Sequence, residues 1–440
     1  MSSRLVASCG LVAALSLAGC DQGRQTPEKV SMRVAHAAPS FIELGFRREQ
    51  DDRNLANLGF KSATQFAYDA DTYDFFVFER AFPNSPGRTW AFAQALDPAN
   101  SYTVVLVEAS GDIVPVVLTH AAAPPTDAQV EALHAASGLP AMDLYLTAPN
   151  LGIGGATPHG TLSAGGQLTA RAIPSGTYEI WLTEAGNPAN VLLATTTVTL
   201  PAGETSAIVI VPEGDLGTEE ISVLLIAGTS AVLYDRNATA ELRVINGATD
   251  RAPRDFAVNG VFAPPLFAAA PFGEPTAYAP VPIITNMPIN VTPAGDPGVL
   301  ELNQVLSPVA TQRATLIFGG PTGALTHAVI GDDGRRFRNE GKLRFFNSAS
   351  QFAGVDLLIG DPGDDPATLT PVISLAAPGA SAYIPLGPGD YDLYFRQATT
   401  TTVIAGPTPV SVVAGGEHAI DAADGPDTAT AEMLLLDDFP

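Results

Sequence analysis

Four side chains that can both donate and accept hydrogen bonds, and two of which could ligate a metal, recur along this chain: His36, His134, Asn246 and Asn347. A carboxylate follows each one. Asp143, Asp255 and Asp356 stand nine residues on, and Glu43 stands seven after His36. Imidazole with carboxylate suggests zinc chemistry, but zinc takes three or four clustered donors from Cys, His and carboxylates, and Asn is not among them. Because Asn replaces His freely, the pattern points to a structural role. The side chain is expected to bond loop backbone just beyond the end of a strand, and the acidic residue to do similar work where the next strand opens.

Other chemistry is sparse. Asp69-Ala70-Asp71 begins like a calcium loop, but Asp74 and Arg80 stand where Gly and Glu are needed. The acidic turns Asp361 to Asp365 and Asp332-Asp333 could bind calcium weakly, but neither a metal centre nor a cofactor is expected. H-E-x-x-H, G-x-S-x-G and Walker patterns do not occur, and the Gly-rich run from Gly152 lacks a strand-to-helix context. No catalytic residue is named, and an enzyme is not expected.

The elements that must position these residues are strands. Each anchor closes a short apolar run and each carboxylate opens another, as in VEALHAASGLPAMDLYL from Val130 and KLRFFNSASQFAGVDLLI from Lys342. The anchors lie 98, 112 and 101 residues apart. That period is the size of a small sandwich and far above a solenoid unit. Four β-sandwich repeats follow, over residues 32–120, 128–226, 240–330 and 342–440, the third divergent. Helix is expected for a turn or two at most, at Asp127 to Ser137 and Arg47 to Leu58. Stacked end to end, the four would extend on the order of 100 Å.

A late strand in three copies begins with Tyr: Tyr73, Tyr178 and Tyr391. With Gly or Asp two residues before it, this Tyr resembles the tyrosine corner of immunoglobulin-like sandwiches, in which the phenol bonds upstream backbone. Copy three has Pro288 in its place. On the opposite parity of the same strands lie Phe76, Trp181 and Tyr394. Rings on a nominally solvent face either pack beneath a loop or a neighbouring domain, or serve as stacking platforms for a polymer such as a glycan.

The motif H-A-A followed by D-L-Y, then by P-x-G-x-Y-x-I/L-x-L, resembles domain of unknown function 4397 (DUF4397), a bacterial envelope module often found in tandem. The likeness runs from Met32 to the C-terminus, closest in copies two and four. It implies an all-β array of four immunoglobulin-like antiparallel sandwiches on an exported protein, and assigns no activity.

The first residues agree with export. Arg4, the apolar run Leu5 to Leu17 and the tetrapeptide Leu17-Ala18-Gly19-Cys20 resemble a bacterial lipoprotein signal over residues 1–19, with lipid attached to Cys20. Residues 20–31 then read as a polar tether. Cys9 leaves with the signal, so no disulfide is expected. The chain carries a formal charge of −24 and only three lysines, Lys29, Lys61 and Lys342. Such a surface repels nucleic acid. The expected protein is a lipid-anchored lipoprotein of the bacterial cell envelope that binds an envelope glycan or protein without catalysis. The alternatives are a passive spacer or surface-layer component, and, with less support, an accessory subunit of an envelope enzyme or transport system.

Overall fold

A computed structural model of the chain describes residues 29–440 apart from 51–54, 82–85, 215–219, 426, 428 and 437–440. The signal, the candidate lipidation residue Cys20 and the tether up to residue 28 lie outside the described residues. Lys29 to Ser31, read as tether, belong instead to the first strand.

That strand, β1 (Lys29–His36), is followed by β2 (Glu43–Arg48), β3 (Ala56–Gly59), β4 (Ala63–Asp69), β5 (Thr72–Glu79), β6 (Thr89–Ala95), β7 (Asn100–Ala109) and β8 (Asp112–Ala121). One sheet runs β4-β1-β7-β8 and the other β3-β2-β5-β6. Alternating side chains explain why the two sheets face each other. Val30, Met32 and Val34 of β1 meet Leu44 and Phe46 of β2 and Phe75 and Val77 of β5 in one buried cluster. Three further clusters of the same kind fill three further sandwiches.

Most pairings are antiparallel, but each sandwich holds one parallel pair. β1 runs alongside β7, Asp127–His134 alongside Thr205–Pro212, Ala240–Ala248 alongside Arg313–Gly320, and Gly341–Asn347 alongside Glu417–Asp424. The third copy keeps the strand order of the first despite Pro288. No helix occurs among the described residues. The stretch from Asp127, where a helical turn was expected, is strand as far as His134 because it pairs on both sides, with Gln167–Pro174 and Thr205–Pro212. Tertiary pairing there overrides the helix preference of Glu, Ala and Leu. Of the Arg47 to Leu58 stretch, Arg47 and Arg48 belong to β2 and Ala56 to Leu58 to β3, while 51–54 lie outside the described residues.

The sandwiches do not stack end to end. Their parallel-pair sheets pack face to face, first on second and third on fourth. Ala35, Val105 and Leu118 of the first meet Leu133, Val209 and Leu224 of the second in one cluster. Ile245 and Ile317 of the third likewise meet Phe346, Ala419 and Leu436 of the fourth. Ile221–Ile226 is accordingly buried along its whole length, which is why it reads as a near-continuous apolar run rather than an alternating one; Gly341–Asn347 is equally buried although it carries Lys342 and Arg344. The segment joining the third and fourth sandwiches lies against the first. Arg338 donates its backbone N–H to the Ser40 carbonyl at 3.0 Å, and Asn339 Nδ2 donates to the Arg80 carbonyl at 2.8 Å.

Candidate functional site

The four anchors sit at the ends of the first strands, fully enclosed, and their bonds show why His and Asn exchange. Asn246 Oδ1 accepts the N–H of Ala248 at 3.0 Å, and its Nδ2 donates to the Ala252 and Ala270 carbonyls at 2.9 and 3.0 Å. Asn347 Oδ1 accepts from Ala349 at 3.1 Å, and Nδ2 donates to Leu375 O at 2.8 Å. His36 does the same with a ring. Its Nδ1 accepts the N–H of Ala38 and its Nε2 lies 3.2 Å from the Phe41 carbonyl. An N–H can only donate, so His36 is the neutral tautomer protonated on Nε2. Burial, then the Arg335 guanidinium, pushes its pKa down to about 3, against the opposing Phe41 carbonyl. His134 Nε2 lies 3.0 Å from Pro140 O.

The carboxylates clasp neighbouring strands. Asp143 accepts from Thr161 Oγ1 at 2.5 Å and from Gly186 N at 2.8 Å. Asp255 accepts the N–H groups of Ala269 and Gly295 at 2.7 and 2.8 Å. Asp356 accepts from Ser374 Oγ and from Arg396 Nη2, the latter at 2.9 Å. Glu43, on the shortened loop, is exposed and does not share this arrangement. The Tyr73, Tyr178 and Tyr391 hydroxyls each donate to the carbonyl four residues upstream, at 3.2, 2.6 and 2.8 Å.

The second row of aromatic residues is not a set of open faces. Tyr394 is only 4% exposed and donates its hydroxyl to Asp364 O at 3.1 Å. Trp181 donates Nε1 to Thr147 Oγ1 at 3.1 Å, and the Arg236 guanidinium covers its ring at 4.6 Å. Phe76 is half-buried, with Arg47 at 5.3 Å. The strand parity is as expected, but loops and arginines cover the rings. Asp332, read as part of an exposed acidic turn, is buried instead. It accepts from Thr315 and Tyr278 hydroxyls at 2.7 and 2.6 Å and pairs with Arg344. Asp361 to Asp365 remains an exposed turn, closed by the Asp361 N–H donating to Asp364 Oδ2.

A set of residues not singled out by the sequence reading gathers at the two seams. Three positions before each anchor stands a charge, Arg33, Glu131, Arg243 or Arg344, on the outer side of the first strand, and all four are buried. Arg33 Nη1 donates to Thr205 O and Ile226 O of the second sandwich, both at 3.1 Å. Glu131 in turn lies 3.2 Å from His120 Nδ1 of the first. Arg344 crosses from the fourth sandwich to Asp332 of the third, which Arg243 approaches at 3.9 Å. Gly247, beside Ser348 across that seam, has no room for a side chain. The available signal was a charge inside each apolar run: MRVAH, VEALH, LRVIN and LRFFN.

Chemically, this arrangement joins domains. Among the described residues, no group of three His, Cys, Asp or Glu side chains is placed to hold a metal ion. No helix of the described residues is long and apolar enough to cross a membrane. Compared with known proteins, the chain matches no family model and no curated protein sequence.

Proposed function

We propose that this protein is a non-enzymatic scaffold of the bacterial cell envelope, anchored by lipid on Cys20 and binding an envelope glycan or protein through its tandem sandwiches. The resemblance to DUF4397 and the lipobox-like start support the location. The observation that carries the scaffold reading is the use of buried charge. Arg33, Glu131, Arg344 and Asp332 lie in the seams between sandwiches, where removing one partner of a buried pair is costly. Such seams hold sandwiches at fixed angles, which suits a protein that presents a surface rather than a flexible string.

The covering of Trp181 by Arg236 and the burial of Tyr394 favour a second reading, a structural spacer without a specific ligand. Retention of the soluble form, residues 21–440, on fractionated envelope material separates the two. Saturable retention of one protein or polysaccharide supports the binding scaffold, and no retention leaves the spacer. The anchor has its own test: Cys20→Ala should move the protein from the membrane fraction to the soluble one.

A further inference from the structure

Where the segment between the third and fourth sandwiches docks on the first, two carboxylates are enclosed together. Glu79, at the end of β5, is 8% exposed and Glu340 is 3% exposed. Both line one cavity of about 20 Å³, room for a single water-sized occupant. Glu79 Oε1 accepts the Arg88 N–H at 3.0 Å, but Glu79 Oε2 and Glu340 Oε1 have no hydrogen-bond partner among the described residues. Two buried acceptors of like charge beside one small cavity are unfavourable unless a cation or a proton neutralises them.

We propose that Glu79 and Glu340 hold a divalent, oxygen-preferring cation of the calcium type, which fastens this linker to the first sandwich. Calcium accepts six to eight oxygens, among them carboxylates, backbone carbonyls and water. Two carbonyls at this contact, those of Ser40 and Arg80, already accept from Arg338 and Asn339, and each keeps a second lone pair. Glu43 lines the same cavity from the exposed side but is not placed as a third ligand, so the two buried carboxylates, carbonyls and water would make up the set. Arg88 already pairs with one oxygen of Glu79, at 3.4 Å, and the other nearby cations do not reach the second oxygen or Glu340 Oε1. Lys342 pairs with Glu417, while Arg80 and Lys342 act on Glu340 through space. The site is independent of any lipid anchor or envelope ligand. It would tie the first pair of sandwiches to the second.

The test is calcium titration of the full-length protein after chelator dialysis, followed by calorimetry. One saturable site with a dissociation constant on the order of 10⁻⁴–10⁻³ M is expected, weakened at least about tenfold in Glu79→Gln/Glu340→Gln, since losing even an outer-shell partner costs that much. Asp361→Asn/Asp364→Asn, in the exposed acidic turn, should leave it intact. Hydrogen exchange on the wild type needs no variant to fold. Calcium should slow exchange at Glu79–Arg80 and Arg338–Gly341. No saturable heat, heat retained in the Glu79/Glu340 variant, or protection confined to the Asp361 turn would overturn the proposal.

Discussion

Lys61 of the first sandwich places its ammonium 2.7 and 2.8 Å from the two carboxylate oxygens of Glu213 in the second, and both side chains are buried. Tyr234, from the chain between the second and third sandwiches, adds its hydroxyl at 3.3 Å. One lysine thus joins three parts of the chain. A buried pair gains little over a hydrophobic replacement, but losing one member strands the other. Lys61→Ala should therefore lower stability by about 3–5 kcal/mol, while Lys61→Met with Glu213→Leu should recover most of that loss. Denaturant unfolding of the three proteins measures the difference.

His36 supplies a pH dependence. Its folded pKa of about 3 lies below the unfolded value of 6.5, so its contribution is full above pH 6.5 and is lost as pH falls towards 3. About 3 kcal/mol should have gone by pH 4. His36→Asn can keep both bonds, as Asn246 and Asn347 do, and carries no titrating ring. Stability measured at pH 7 and pH 4 should fall less in the variant; an equal fall would argue against the neutral, buried ring.

Asp421 works in the opposite sense. Burial raises its pKa to about 6, with Asp424 adding to the rise, against the Ser348 hydroxyl and N–H, which donate to the carboxylate and lower it. The protonated carboxyl stabilises the fold fully below pH 3.8, and that contribution is lost as pH rises through 6. Asp421→Asn should therefore gain on the wild type between pH 4 and pH 8, by about 2–3 kcal/mol. Melting curves at the two pH values give the sign directly.

Tyr178 and Tyr391 differ from Tyr394 in what their removal costs. Changing either of the first two to Phe deletes one hydrogen bond to backbone and should cost about 1 kcal/mol. Tyr394→Ser empties buried volume and should cost about 3–5 kcal/mol. If Tyr394→Ser left stability unchanged in calorimetry, the ring would have to be an accessible surface after all.

Much of this architecture was legible in one dimension because it is local. The two-residue alternation of YEIWL places Ile180 and Leu182 in the core, and in copies two and four the Tyr, anchor and Asp positions recur at the same offsets because each bonds partners within its own sandwich. Those contacts depend on short loops and strand geometry, which sequence spacing carries. The helical turn expected from Asp127 failed because propensity says nothing about two flanking strands. The exposed turn expected at Asp332 failed because its partner Arg344 belongs to another sandwich.

The chain by itself therefore determined an all-β fold of repeated sandwiches and the inward face of their strands. Only the tertiary structure decided how the sandwiches meet. Strand periodicity reports which face is buried, not what buries it. The outer face of each first strand is apolar at Ala35, Leu133, Ile245 and Phe346, yet its partner lies roughly 100 residues away in sequence. That distance is why Arg33, Glu131 and Arg344 became visible as seam residues only once the sandwiches were packed face to face.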